Sequence, residues 1–386
     1  MKSLLPIALS ALLLSSCDPT ITGPDGDTLD VTLLAKKIED RLKDSCVGYQ
    51  FVIYHDGKVK ALRAGGDARL SYETSPRKMS TDDKYNIASV SKTVTAAALL
   101  HALNKKGLTE NDTIGPYLPK HWSVPSKTKK LTFKELLQHK SGFRTTYGSD
   151  YASLKKLFVE GPTNDKSLLY NNANYAIMRM LIAHLSGAAI TPVPSNASAT
   201  EIANIETKQA SEYSEAYMKY CQANVFDKVP GCSNMACKPT ETRPALAYQF
   251  PKDGAKGTDF GDMTLTNAER GWHMSSLQMA NFIASLHDKG AIISKNLVNK
   301  MRDDLMGYDF NTQTNAGHQY FYKGGLYPGK RADGTKWNDG ELNSALIGFT
   351  KSGMSIGLIV NSQYRRNNAY ENPLYAVLRA YDEWYK

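Results

Sequence analysis

Cysteine is scarce, five in 386 residues, and no apolar run approaches the roughly twenty residues a membrane-spanning helix needs. A transmembrane anchor is thereby disfavoured. No internal repeat is visible, and none of the eight histidines stands in a His-Glu-x-x-His spacing, which argues against a solenoid and against a metal hydrolase of that type. The net charge of +9 is diffuse: clusters such as Lys127-Thr128-Lys129-Lys130 lack the interleaved aromatics of a nucleic-acid surface and read as a solvated face. The apolar fraction is ordinary, 22 tyrosines are many, and the charges are evenly mixed, which argues against disorder and against a coiled coil. The length is ample for a sizeable core in one domain or two.

What is present begins with an export signal. Residues 1–16 hold one lysine and an apolar stretch from Leu4 to Leu14, then small residues before Cys17. The run "LSSC" resembles a bacterial lipobox. That resemblance implies cleavage, a lipid on Cys17, a linker over residues 17–30 and a domain over 31–386 facing the periplasm. Asp18, directly after the cysteine, is similar to the inner-membrane retention signal of some Gram-negative lipoproteins. With Cys17 lipidated, Cys46, Cys221, Cys232 and Cys237 allow three pairings, and an oxidising compartment predicts at least one disulfide. A zinc site is the alternative for the three clustered thiols, and the lack of a nearby histidine in sequence weighs against it.

Leu33, Leu34, Ile38 and Leu42 recur at helical spacing, and "YQFVIYHDGKVKALRAG" alternates about a turn at Asp56-Gly57. Near the end, "SALIGFTKSGMSIGLIVNS" repeats the hairpin about Lys351-Ser352-Gly353. A final helix then carries Leu374, Val377, Leu378 and Tyr381 on one face. Most segments between these ends read as helices. The stretch "TPVPSNASATEIANIETKQAS", rich in small polar residues, reads as a surface loop. The pattern predicts an α+β fold: an antiparallel sheet flanked by helices and split by an all-helical region over about residues 108–255.

The chemistry-bearing candidates begin with Ser-x-x-Lys, which occurs four times, at Ser75, Ser89, Ser126 and Ser153. Only Ser89-Val90-Ser91-Lys92 follows a strand-like run and opens a long apolar helix that stops near Lys105, Lys106 and Gly107. Residues three apart share a helix face, so Lys92 can reach the Ser89 hydroxyl, and a helix N-terminus favours developing negative charge. Serine needs a neighbour to take its proton, and a lysine can do so once burial or nearby cations depress its pKa. The other three copies fit an ordinary serine near a helix start with an exposed lysine.

Tyr170 and Asn172 form a Tyr-x-Asn ahead of another helix, suited to proton relay and to holding a carbonyl. A second copy, Tyr370 to Asn372, lies in the tail and reads as a chance match. Lys323-Gly324-Gly325 offers a cation followed by glycines that let a substrate approach a strand.

In this order, "YNIASVSKTVTAAALLHAL", "LTFKELLQHKSGF", "LLYNNANYAIMRMLIAHLSG", "YSEAYMKYCQANVFDK" and "YKGG" followed by "ALIGF" resemble the landmarks of the class C β-lactamase-like serine hydrolases, within the β-lactamase and penicillin-binding-protein superfamily. The resemblance implies that Ser89 is acylated, that Lys92 and Tyr170 handle its proton and that Asn172 orients substrate. Lys323 would then lie near a substrate carboxylate, and the amides of Ser89 and Leu326, after Gly325, would form the oxyanion hole. Each such donor is worth about 2.7 to 4 kcal/mol. It also implies a small-molecule or peptidoglycan-peptide substrate and no cofactor or metal. Gly324 departs from the pattern, replacing the usual threonine or serine and removing a hydroxyl that binds substrate carboxylate.

Two rival readings remain. Gly353-Met354-Ser355-Ile356-Gly357 matches Gly-x-Ser-x-Gly, but Ser355 runs into a strand and the last histidine, His318, precedes it, against the order of an α/β-hydrolase. The other is a lipoprotein that binds or traps peptidoglycan stems or penicillins without turnover, which the loss of the hydroxyl at Gly324 favours and the joint presence of Ser89, Lys92, Tyr170, Asn172 and Lys323 argues against.

Overall fold

The computed structural model describes residues 19–23, 26, 28–250, 254–330 and 336–385. The leader, Cys17 and Asp18, with the lipidation expected there, lie outside the described residues. Residues expected as linker instead form a hairpin of β1 (Thr20–Thr22) and β2 (Thr28–Asp30) with Ile21 buried. Asp30 then caps α1 (Val31–Leu42) by accepting from the amides of Thr32 and Leu33. This helix buries Val31, Leu34, Ala35, Ile38 and Leu42, while Leu33 faces solvent.

The strands β3 (Gly48–His55) and β4 (Lys58–Arg69) form the first expected hairpin. Asp56 and Gly57 at its tip both have positive φ, as a two-residue turn matching strand twist requires. After β5 (Arg77–Lys78) and β6 (Tyr85–Asn86), a 3₁₀ turn at Ala88–Val90 opens α2 (Ser91–Lys105). The helical region follows: α3 (Ser126–Lys129), α4 (Phe133–Leu137), α5 (Tyr151–Glu160), α6 (Ala173–Ala176), α7 (Met178–Ser186), α8 (Ala199–Asn224) and α9 (Asn267–Arg270). The chain returns through β7 (His273–Met274), α10 (Ser276–His287) and α11 (Lys295–Asp303). It then forms β8 (Phe310–Gln313), β9 (Gln319–Lys330), β10 (Lys336–Phe349) and β11 (Met354–Val360), and ends in α12 (Leu374–Trp384).

The main sheet is antiparallel, in the order β5-β4-β3-β11-β10-β9-β8. Chain start and chain end therefore meet at its centre, where β3 pairs with β11. Alternate residues of β3 divide between two layers: Tyr49, Phe51 and Ile53 pack with α1 and α12, while Val52 and Tyr54 pack against Ala280 and Ala284 of α10. Both faces are covered, which is why β3 is buried throughout. The α+β class, the sheet and the inserted helical region stand as the sequence predicts.

The polar stretch read as a loop differs. Residues 191–198 are irregular, but Ser198 and Glu201 form a reciprocal capping box and start α8. That helix is anchored by Gln209, Tyr213, Tyr217 and Cys221, one buried face spaced by four, and its first turns lie mostly open to solvent.

The expected disulfide is not formed, and all four thiols are buried and free. Cys46 belongs to the core under α1 and α12, whereas Cys221, Cys232 and Cys237 belong to the helical core, so the sheet separates it from them. Among the described residues no group of histidine, cysteine, aspartate or glutamate is arranged to hold a metal, and no helix is long and apolar enough to cross a membrane.

One buried histidine predicts acid lability. His287 lies against Phe321, 4.3 Å between ring centroids, and shares a 2.6 Å hydrogen bond with the Tyr308 hydroxyl. Burial chiefly, with Arg302, lowers its pKa to about 3. Below an unfolded-state pKa of about 6.5 the unfolded chain takes up a proton that the fold refuses, so stability falls as pH falls toward 3. The expected slope from this group is about 1.4 kcal/mol per pH unit. Denaturant melts of wild type and His287→Gln between pH 6 and 4 read it, and parallel slopes would refute the assignment.

Candidate active site

The local sequence around Ser89 is held from several sides. Ala88 adopts φ +47°, a left-handed conformation unusual for alanine, and its amide donates to Asn86 Oδ1 at 2.7 Å. The Ile87 amide donates to the Trp272 carbonyl at 2.9 Å, and the Ile87 carbonyl accepts from Ser344 Oγ at 2.7 Å. This fixed bend puts Ser89 one turn ahead of Lys92 at the start of α2.

Lys92 Nζ donates to Ser89 Oγ at 3.1 Å and to the main-chain carbonyl of Glu269 at 2.9 Å, and the lysine is fully buried. Tyr170 donates its hydroxyl to the same Ser89 Oγ at 2.8 Å. The tyrosine precedes α6 and lies against the His139 ring, 4.4 Å between centroids. His139 Nδ1 faces the Asn171 amide at 3.3 Å and Asn174 Nδ2 at 3.2 Å, so His139 serves as support within the fold.

The electrostatics follow from crowding. Burial chiefly lowers the Lys92 pKa, Lys323 adds to this, and Tyr170 with Glu269 opposes it. For Tyr170 burial acts upward, but Lys92 and Lys323 outweigh it and leave the phenol below its ordinary value. Their ammonium nitrogens lie 5.1 and 5.2 Å from the tyrosine ring centre. Burial, with Lys92 and Lys323, drives His139 down to about 2 and keeps it neutral. The cluster therefore holds Ser89 between two groups that both lose a proton more readily than their ordinary values would allow.

Lys323, Gly324, Gly325 and Leu326 lie on β9, where they form one wall of a cleft of about 420 Å³. A Cβ on Gly325 would overlap the Ile87 carbonyl and Ser344 Oγ, so glycine is what lets β9 press on the turn carrying Ser89. Gly324 has a different reason. Tyr322, two residues away and on the same strand face, places its hydroxyl where a side chain at 324 would begin. That hydroxyl accepts from Asn372 Nδ2 at 3.3 Å. A hydroxyl thus stands beside the position that lost one.

Ser89, Tyr170, Asn172, Lys323, Gly324, Gly325 and Leu326 all line this one cleft, with Lys92 behind Ser89. Asn172 sits on the wall, while the second bond of Lys92 goes to Glu269. Ser75 is in an exposed turn, Ser126 opens α3, and Ser153 is bound to Asp150 in the first turn of α5; none lines the cleft. Ser355 is buried in β11.

The tail, whose Tyr370 to Asn372 reads in the sequence as a chance match, also reaches the site. Both residues line the cleft, because the segment before α12 folds back along β9 and β10. Sequence reasoning also missed Asp309, which accepts from Lys323 Nζ at 2.6 Å and from the Gly324 amide at 2.9 Å. No local motif marks it, since the contact spans fourteen residues.

Residues 34–192 match the β-lactamase family, which is less than half of the chain. No curated protein matches the chain. Among solved structures, an octameric penicillin-binding protein homologue from Pyrococcus abyssi is 14% identical, with a TM-score of 0.63 over 92% of this chain and 77% of its own. FmtA from Staphylococcus aureus is 16% identical, with a TM-score of 0.66 over 92% and 89%. The D-amino acid amidase from Ochrobactrum anthropi SV3, complexed with L-phenylalanine amide, is 19% identical, with a TM-score of 0.62 over 92% and 99%.

Proposed function

With the fold of the β-lactamase and penicillin-binding-protein superfamily as premise, we propose that the chain is a serine hydrolase working through an acyl-enzyme on Ser89, closest in kind to the class C β-lactamase-like enzymes. The observation that carries this reading is the convergence of a buried Lys92 Nζ and the Tyr170 hydroxyl on one serine oxygen, at 3.1 and 2.8 Å, facing an open cleft. A neutral Lys92 reverses its bond and accepts the Ser89 proton as Oγ attacks an amide or ester carbonyl; a Tyr170 phenolate is equally placed to do so. The resulting oxyanion would be held by the amides of Ser89 and Leu326. Collapse breaks the C–N or C–O bond, the stored proton passes to the leaving group, and water then releases the acid by the same route in reverse.

The leader supports an envelope setting, a periplasm-facing lipoprotein tethered through Cys17, at the inner membrane on the strength of Asp18. In that setting D-alanyl peptides, β-lactams and small esters are the substrate types to compare. The test is a serine-directed probe and a labelled penicillin read by intact mass, with hydrolysis assays of the three types. A Ser89 adduct with turnover of at least one type is expected. Absence of any adduct would refute the reading, and an adduct that never turns over would favour the acyl-trapping lipoprotein.

A further inference from the structure

The two charged side chains that line the cleft are paired with each other. The resemblance implies that Lys323 serves a substrate carboxylate, yet its ammonium is buried and ion-paired with Asp309 Oδ1 at 2.6 Å. The second oxygen, Oδ2, accepts from the Gly324 amide at 2.9 Å, so one internal carboxylate engages both the side chain and the adjacent main chain of this strand. Asp309 is itself fixed, its amide donating to the Tyr322 carbonyl at 2.8 Å just ahead of β8. Among the described residues lining the cleft, Asp309 and Lys323 are the only charged side chains. The polar remainder consists of the hydroxyls of Ser89, Tyr170, Tyr322, Tyr370 and Ser344 and of the amides of Asn172, Asn343 and Asn372.

A substrate carboxylate entering beside Lys323 would meet a cation already spent and an aspartate of its own sign, in a partly enclosed site where such repulsion is weakly screened. A carboxamide or ester meets neither penalty, and the neutral amides and hydroxyls can pair with it. We propose that Asp309 is a specificity-determining residue that makes this cleft select neutral amides and esters over substrates carrying a carboxylate on the leaving-group side. The inference rests on the serine-hydrolase reading above and narrows its substrate class.

The experiment uses two thioesters with the same acyl group, one releasing mercaptoacetate as the free acid and the other its carboxamide, with thiol release followed on the full chain. Wild type is expected to favour the carboxamide in kcat/KM by about ten-fold or more, the scale of one unfavourable charge contact. Asp309→Asn is expected to move the ratio about ten-fold toward the acid, mainly through KM, because Lys323 is then free to pair with it. The wild-type preference is read on the unaltered chain, so it stands as a test even if the variant does not fold. Equal rates or a preference for the acid in wild type would overturn the inference, as would a folded Asp309→Asn with an unchanged ratio. A serine-directed probe separates the two levels: labelling of Ser89 with the wrong ratio defeats the Asp309 assignment alone, and no labelling defeats the parent reading with it.

Discussion

Ser89→Ala is expected to remove covalent labelling completely and to lower kcat by about 10⁴- to 10⁶-fold, the scale seen when a serine nucleophile acting in a unit with its base is deleted. The size follows from what converges there. Lys92 and Tyr170 both direct their protons at this oxygen, and alanine leaves them nothing to exchange with. The other Ser-x-x-Lys serines provide controls, because Ser75, Ser126 and Ser153 lie outside the cleft and their alanine variants should retain labelling. Folding should survive, since the lost methyl-sized hydroxyl lies at the cleft surface and the bend at Ala88 is held by Asn86, Trp272 and Ser344 rather than by Ser89. Labelling that persists in Ser89→Ala would place the nucleophile elsewhere.

The features legible in the sequence were those encoded locally. Asp56-Gly57 marks a hairpin because only a few residues tolerate positive φ, and the spacing of Leu374, Val377, Leu378 and Tyr381 marks one helical face. The Ser89 to Lys92 contact is local too, one helical turn, and it lies in the cleft. What escaped depends on long-range packing. The first half of α8 is polar and mostly exposed, so no apolar period reveals it; its capping box does, in Ser198 and Glu201. Asp309 acquires meaning only once β8 lies beside β9. Tyr322 is adjacent in sequence to Lys323, yet its hydroxyl is seen to replace a side chain at 324 only when both are placed on one strand face. The Tyr370 to Asn372 pair is visible in the sequence, but its place beside the cleft depends on the segment before α12 folding back along β9 and β10.

The second large effect concerns the proton. Lys92→Ala is expected to cost about 10²- to 10⁴-fold in kcat/KM, the range for a general base, and Tyr170→Phe a loss in the same range. In the proposed mechanism both act on one Ser89 proton, so the double variant should lose much less than the product of the two. The reactive state needs one of the pair deprotonated, so kcat/KM should climb with pH. Both groups are shifted below their ordinary values, which places the climb below the usual titration range of either. Lys323 depresses Lys92 and Tyr170 alike. Lys323→Met therefore raises the proton affinity of both, and it also strands the negative charge of Asp309 nearby, which acts in the same direction. The rising limb must move to higher pH whichever group is the base. A limb that stays in place in Lys323→Met would show that neither Lys92 nor Tyr170 sets it, and the variant that abolishes the limb, Lys92→Ala or Tyr170→Phe, identifies the base.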